Sequence, residues 1–254
     1  MHRVLFKRLG CAVCCAAALL SAFLIPNRFA LAAEDDPRAS AAYVMYDNKN
    51  GLPTSEANAI VQSKDGFIWI GGYSGLIRYD GIDFMRFDSS YGITSVVSLY
   101  IDSKERLWVG TSDNGAVLHE NGEFRFFGRG EGLESLFVHA ITEDARGNII
   151  FATTEGLFYA DAELALHRID DERTNCEYVC EVICDNEGVV YGTTLGGSIF
   201  SVKELKVERS YSGDEFDANC ICPDPENKGY VYIGTHTSKV LYGNFNEGLA
   251  NYQS

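Results

Sequence analysis

A short motif recurs along this chain at a nearly constant interval, and this recurrence restricts the possible folds more than any other feature of the sequence. The clearest copy, at residues 66–72, reads Gly-Phe-Ile-Trp-Ile-Gly-Gly, and four related segments follow it. A period of tens of residues indicates repeated structural units that stack on one another. One apolar position aligns in all five copies with steps of 39, 42, 41 and 41 residues, at Trp69, Trp108, Ile150, Tyr191 and Tyr232.

Each copy contains four short strand signals separated by turn residues. Asp-Gly steps such as Asp65-Gly66 and Asp80-Gly81 supply the positive φ that tight hairpins require. The middle strands are apolar on both faces, as expected for sheets covered on both sides. A period near 40 residues with four strands per unit predicts an all-β fold, a β-propeller of about five four-stranded blades. In the first copy the predicted strands are 59–62, 67–71, 76–79 and 84–87.

The predicted propeller covers residues 43–254, and its last repeat is the shortest in strands. The sequence after residue 243 leaves only residues 249–254 for a fourth strand of that repeat. Either the amino-terminal segment 43–47 completes the fifth blade and closes a five-bladed ring, or the chain is a truncated seven-bladed ring. An open ring would leave two apolar blade faces uncovered. The predicted repeats are 51–88, 92–128, 132–170, 174–210 and 215–254.

The first 32 residues have the pattern of a secretory signal peptide. Positive charges precede an apolar stretch at residues 9–25, and Ala30 and Ala32 have the spacing of a cleavage site. We therefore expect a signal peptide at 1–32, a linker at 33–42, and a periplasmic or extracellular location. The alternative is an uncleaved membrane anchor, for which an apolar stretch of this length is marginal.

The mature chain is strongly acidic. The leader carries four positive charges and no acid, so its removal changes the net charge from −15 to −19. Nucleic-acid binders need clustered Lys and Arg, so we expect no nucleic acid partner. Membrane contact is expected only through the leader or a missing carboxyl-terminal segment.

The first two repeats resemble a known family. Gly51-Leu52-Pro53, the segment Asp65 to Gly71, and the segment Gly75 to Gly81 closely resemble the two-component regulator propeller repeat. The later copies depart from it, because Ile150, Tyr191 and Tyr232 replace its tryptophan. The resemblance implies an extracytoplasmic sensor propeller, which in this family typically has seven or more blades. Such propellers are joined through a membrane helix to a histidine kinase, diguanylate cyclase or transcription-factor output, and no such output domain is recognised here.

The function expected from the repeat and the leader is ligand binding in a bacterial signalling protein. One alternative is an exported scaffold for a protein partner, and another is a hydrolase or lyase on the same fold. The chain lacks a Gly-x-Ser-x-Gly elbow and a phosphate-binding glycine loop before a helix, so we expect no enzymatic activity and no cofactor.

Propeller ligands bind where loops enter the innermost strands and where second and third strands are joined. His119 and His167 fall on outer, solvent-facing positions, whereas His139 and His236 lie nearer these loops. The loop residues combine amides, hydroxyls and an aromatic ring, which suits a small polar or carbohydrate-like ligand. The candidate ligand-binding residues are Asn58, Tyr73, Ser74, Asp113, Asn114, His139, Glu155, Asn219 and His236.

Five cysteines follow the leader, on the innermost strands of the fourth and fifth units. In extended chain, the first three share one parity, as do the last two, so neighbouring strands could bring the two groups together. An inter-blade disulfide, buried thiols and a zinc site all remain open, although the spacing lacks the usual Cys-x-x-Cys of zinc sites, and we expect no metal. These residues are Cys176, Cys180, Cys184, Cys220 and Cys222.

Overall fold

A computed structural model describes residues 44–54, 56–175 and 177–248 of the chain. The predicted signal peptide and linker, Cys176 and the last six residues lie outside the described residues. Within the described part, nineteen strands form five antiparallel sheets, and hydrogen-bonded neighbours are always consecutive in the chain. No helix among the described residues is both long enough and apolar enough to span a membrane.

Each sheet is one blade, and the strands run from the innermost to the outermost. Blade 1 contains β1 (Ala59–Gln62), β2 (Ile68–Gly72), β3 (Gly75–Tyr79) and β4 (Phe84–Phe87). Blade 2 contains β5 (Val96–Ile101), β6 (Leu107–Thr111), β7 (Ala116–Glu120) and β8 (Glu123–Phe127). Blade 3 contains β9 (Val138–Glu143), β10 (Ile149–Thr153), β11 (Gly156–Ala160) and β12 (Leu166–Arg168).

The last two blades continue the same order. Blade 4 contains β13 (Val179–Cys184), β14 (Val190–Thr194), β15 (Ile199–Lys203) and β16 (Lys206–Tyr211). Blade 5 contains β17 (Ala218–Pro223), β18 (Tyr230–Thr235) and β19 (Val240–Asn244). In the part of the chain that the structure describes, helical turns lie between blades or after them, as α1 (Gly213–Phe216) and as 3-10 turns at Ser89–Tyr91, Arg129–Glu131 and Phe245–Glu247.

The innermost strands pack against one another in chain order, from β1 to β17. This arrangement confirms the predicted all-β class and the five-bladed propeller architecture. Four blades have four strands, and the fifth has three in the described part of the chain. Residues 44–47 form no strand, and Tyr46 contacts blade 1 through its hydroxyl, 2.8 Å from that of Tyr79, and through the Phe84 ring. Completion of the fifth blade by this segment is therefore not observed.

The hydrophobic core lies between blades. Trp108 is fully buried between blades 2 and 3, with its ring edge-to-face at 5.5 Å from Phe151. The glycine two residues after the aligned position permits this close stacking. A Cβ on Gly71 would lie 2.4 Å from a Val96 methyl, and one on Gly110 would lie 2.6 Å from the carbonyl oxygen of Val138. The repeated glycine thus lets the next innermost strand approach the blade closely.

Candidate functional site

Two sets of loops meet at one end of the blades, here called the upper end. The loops that enter the innermost strands bond to the turns between second and third strands of the preceding blade or of their own blade. Ser95 donates its backbone N–H to Tyr73 O at 3.3 Å, and His236 donates to Asp217 O at 3.0 Å. Seven of the nine candidate residues belong to these loops and turns, and His139 and Asn219 are the second residues of β9 and β17, so all nine lie at the upper end.

The innermost strands share an irregularity that sets the position of three candidates. β5, β9, β13 and β17 each contain one extra residue where the register with the second strand shifts. Asn58, just before β1, occupies the corresponding place, since its N–H bonds to Gly71 O. Bulges redirect side chains and occur at barrel rims and binding sites. The five residues at this inner edge are Asn58, Val97, His139, Cys180 and Asn219.

His139 has the most unusual surroundings of these five residues. Its ring stacks on Phe137 with centroids 3.8 Å apart and lies 4.4 Å from the ring of Tyr178. Burial lowers the pKa of His139 to about 4, so the imidazole is neutral at pH 7. Its Nε2 is buried and has no hydrogen-bond partner among the described protein atoms. Since buried polar atoms are nearly always bonded, Nε2 has the capacity for one further hydrogen bond to a polar group.

The candidates on blade 1 present an aromatic ring and an amide. Tyr73 is 60% exposed at the tip of the β2–β3 turn. Arg86 Nε holds this turn by donating to Ser74 O at 2.9 Å. The side chain of Asn58 donates to Val96 O at 2.9 Å, which links blades 1 and 2. Tyr73 is therefore exposed on a turn that the Arg86 hydrogen bond holds in place.

The candidates on blades 2 and 3 are held in a similar way. Thr94 donates its hydroxyl to the Asp113 carboxylate at 3.2 Å, and Asn114 donates its amide to Gly92 O at 3.2 Å. Arg168 donates to the carbonyl oxygen of Glu155 at 2.8 Å, while the Glu155 side chain is exposed. These turns therefore present their polar groups to solvent on a fixed backbone.

Asn219 and His236 are exposed on blade 5. Among the described residues, no hydrogen bond joins any two of the nine candidates. The structure therefore brings the candidates to one end of the blades without forming them into one bonded cluster.

Phe137 and Tyr178, the two rings beside His139, were not among the residues predicted from the sequence. Each stands two residues before the extra residue of its innermost strand. An aromatic residue at that offset in neighbouring repeats is a signal that aligning the repeats could have detected.

The four cysteines in the described part of the chain form no disulfide with one another, and the parity expected for an unbroken strand holds only in part. The four described thiols are free, and Cys176 lies outside the described residues. Cys184 belongs to the part of β13 that contacts blade 3, since its N–H bonds to Thr142 Oγ1 at 3.2 Å. Cys220 and Cys222 are exposed on blade 5. The bulge at Cys180 interrupts the strict alternation that the argument assumed.

The described residues contain no group of three or more His, Cys, Asp or Glu side chains arranged to hold a metal ion.

Comparisons with known proteins agree with the propeller fold. The family model for the two component regulator propeller matches residues 51–74 and 90–113. The extracellular domain of a B. thetaiotaomicron protein assigned to the hybrid two component systems is 25% identical, with a TM-score of 0.54 over 60% of this chain. That of a B. thetaiotaomicron protein assigned to the one component systems is 17% identical, with a TM-score of 0.67 over 84% of this chain. The chain spans 23% and 31% of those two structures.

A more distant structure has the same fold. Virginiamycin B lyase from Staphylococcus aureus is 11% identical, with a TM-score of 0.56 over 77% of this chain and 72% of its own. No curated protein sequence matches the chain significantly. Residues 51–74 and 90–113 are two-component regulator propeller repeats, and the chain that carries them folds as a five-bladed β-propeller.

Proposed function

We propose that this chain is an exported ligand-binding propeller of a bacterial signal-transduction protein, of the histidine kinase, diguanylate cyclase or regulator type. The observation that carries this proposal is the match of two repeats to the two component regulator propeller. The similarity to extracellular domains of B. thetaiotaomicron signalling proteins supports it further. The secretory pattern of the first 32 residues supports an extracytoplasmic location.

The ligand binds at the upper end in this proposal, and it is a small polar or carbohydrate-like molecule. The exposed ring of Tyr73 and the rings beside His139 supply flat apolar surfaces. Amide groups of the candidate residues supply hydrogen-bonding groups at the same end of the blades. Apolar surface with a few oriented polar groups is the usual composition of small-molecule sites.

Binding fits this site better than catalysis. A general base works best when its pKa lies near the working pH, and the pKa of His139, lowered to about 4 by burial, is far from neutrality. The Asp113 carboxylate accepts a hydrogen bond from Thr94. We therefore assign these groups to ligand contact, with no reaction step.

A second candidate function is a scaffold for an exported protein partner, and the surface of blade 5 favours it. Tyr232 is 43% exposed and Val240 is 62% exposed on the same sheet, where they pair with Cys222 and Gly234 respectively. Exposed apolar groups that lie together are characteristic of protein-binding surfaces.

One pair of variants separates the two functions. The purified mature chain is screened for thermal stabilisation by a saccharide panel, and then Tyr73→Ala and Tyr232→Ala are compared. Ligand binding at the upper end predicts at least about 10-fold weaker binding in Tyr73→Ala, as expected for loss of a ring contact, and unchanged binding in Tyr232→Ala. Saccharide binding that Tyr73→Ala and His139→Ala both leave intact would contradict the site. Co-purification of a protein that only Tyr232→Ala abolishes would favour the scaffold.

A further inference from the structure

A cavity of about 440 Å³ lies between blades 1 and 2 at the lower end, opposite the candidate site. The turn between β1 and β2 forms one side, and the turn between β5 and β6 forms the other. Its volume falls within the range of roughly 300–1,000 Å³ typical of small-molecule sites. The wall contains the apolar side chains of Phe67, Trp69, Ile101 and Leu107.

Arg78 supplies the positive charge in this wall. Its guanidinium carbon lies 4.4 Å from the centroid of the Phe67 ring and 5.9 Å from that of Trp69. Stacking on aromatic faces orients the guanidinium and leaves its N–H edge free for a planar anion. The hydrogen bond recorded for Arg78 goes to the weakly accepting sulfur of Met85 at 3.7 Å.

Arg78 has no carboxylate within ion-pair distance among the described residues, although the chain carries a net charge of −15. Asp80, two residues away, accepts instead from the backbone N–H groups of Ile82 and Asp83. Arg106, across the cavity, is paired with Asp102 at 2.7 Å. Of these two arginines, Arg78 is therefore the one whose charge remains uncompensated by direct contact.

The difference between the two arginines follows from one substitution in the repeat. The turn after the innermost strand carries an aspartate in blades 2 to 5, at Asp102, Asp144, Asp185 and Asp224, and a serine, Ser63, in blade 1. The Asp102 carboxylate accepts hydrogen bonds from both Arg106 Nε and Trp108 Nε1. The Ser63 hydroxyl accepts a hydrogen bond from Trp69 Nε1 at 3.3 Å and donates to Asp65. Blade 1 therefore lacks the carboxylate that would neutralise a cation at this depth.

Among the described residues, the other polar groups of the cavity add no second unpaired charge beside Arg78 in its interior. His119 lies 5.0 Å from the Trp69 ring, and burial together with the Arg78 charge lowers the pKa of His119, which keeps the imidazole neutral at pH 7. The remaining charged side chains, Lys104, Asp65, Glu105 and Glu120, are exposed at the rim, where water screens them.

We propose that this cavity is a second binding site, for a small organic carboxylate whose flat apolar body lies among Phe67, Ile101 and Leu107 and whose carboxylate pairs with Arg78. A bidentate Arg–carboxylate contact provides both strength and orientation. The site is separate from the upper end and does not depend on the function proposed there.

Tryptophan fluorescence can test this proposal, because the chain has two tryptophans and one of them lines the cavity. In a Trp108→Phe background, Trp69 is the sole reporter, and circular dichroism verifies the fold. The probes are benzoate, its neutral analogue benzamide, and inorganic phosphate. We expect saturable quenching or a spectral shift with benzoate, and much weaker responses to the other two.

Arg78→Gln should weaken benzoate binding by about 10-fold or more, the effect of losing a charge-assisted hydrogen bond. Arg125→Gln is the matched control, because Arg125 also stacks on a ring, that of Phe127 at 4.9 Å, but lies outside the cavity lining. The Tyr73→Ala variant of the upper end should bind benzoate normally.

Three results would overturn the proposal. These are no response to benzoate up to its solubility limit, equal responses to benzoate and benzamide, or a benzoate affinity unchanged in a folded Arg78→Gln variant. A response to phosphate as strong as that to benzoate would also overturn the assignment to an organic carboxylate.

Discussion

Blades 2 and 5 are built from the same repeat but differ in what covers them. Trp108 in blade 2 is fully buried, whereas Tyr232, at the same position of blade 5, is 43% exposed. All five residues of β6 are buried, while in β18 only Val231 and Ile233 are buried. Blade 2 packs between two neighbours, and in the described part of the chain the extensive strand contacts of blade 5 are with blade 4. The repeat therefore determines the shape of a blade, and its neighbours determine how much that blade buries.

The turn aspartate shows the same contrast at the level of one side chain. Asp102 is fully buried and accepts hydrogen bonds from Arg106 and Trp108. Asp224 has the corresponding role in blade 5, where Tyr242 Oη donates to it at 2.7 Å and Asn227 Nδ2 at 2.9 Å. The Asn227 and Tyr242 hydrogen bonds hold the pKa of Asp224 well below its usual range. The local hydrogen bonding is shared, but the surrounding dielectric is not.

The largest expected effect is on the aligned aromatic position. Trp108→Ala should lower the free energy of unfolding by about 3–5 kcal/mol, because it removes a buried ring and leaves a cavity. Tyr232→Ala should cost less than about 1 kcal/mol, as is usual at the surface. Urea denaturation followed by circular dichroism measures both. Equal losses would mean that blade 5 is covered in solution.

The buried aspartate should be nearly as sensitive. Asp102→Ala should cost about 3–5 kcal/mol, because it leaves Arg106 without its partner in a buried setting. Asp102→Asn keeps an acceptor for the turn and should lose less. Asp224→Ala in blade 5 should have the smallest effect of the three. The same denaturation assay ranks these variants, and a larger loss for Asp224→Ala would break the comparison.

The thiols of blades 4 and 5 should differ in reactivity. Burial raises the pKa of Cys184 to about 11 from an ordinary value of 9.0. Its thiolate fraction at pH 8 is therefore about 100-fold below that of an ordinary thiol. Iodoacetamide labelling followed by peptide mass spectrometry should modify Cys220 and Cys222, which are exposed, long before Cys184. Equal labelling rates in the folded chain would show that blade 4 is open to solvent.

The smallest effect concerns acid stability. The pKa of His139 is about 4 in the folded chain and near 6.5 when unfolded, so the unfolded state binds the proton first as pH falls. This difference in proton binding has no effect above about pH 7, and it lowers the free energy of unfolding progressively between pH 6.5 and 4. Relative to His139→Gln, the wild type should lose about 1–2 kcal/mol more over this window, after allowance for partial exposure. An identical pH dependence of stability in the wild type and in His139→Gln would contradict this expectation.

The strands of blade 1 show how far sequence patterns reach. The predicted strands 59–62 and 84–87 agree with β1 and β4 at both ends, and β2 and β3 differ by one residue. Turn residues and apolar runs are local features, so they locate strands well. The bulge at His139 was not predicted, because it depends on the hydrogen-bond register with β10. The outer position assigned to His119 was also incomplete, since its ring lies against Trp69 and Phe124.

The candidate sites show the same difference between features set by the local sequence and features set by contacts between blades. The nine residues chosen from loop positions do lie at one end of the blades, because antiparallel order alone decides which turns share an end. Their role as ligand contacts stays a prediction. The environment of His139 and the cavity beside Arg78 could not be read from the repeat, because each is formed by residues of two neighbouring blades.

The amino-acid sequence by itself determined the period, the strands, the turns and hence the propeller, since these depend on residues close together in the chain. Only the tertiary structure decided which of the five aligned positions are buried, that Arg78 is left without a paired carboxylate, and that His139 is held neutral between two rings. Those properties depend on distances between blades about 40 residues apart in sequence. Burial between blades sets both the packing energy and the strength of the interactions between charged groups.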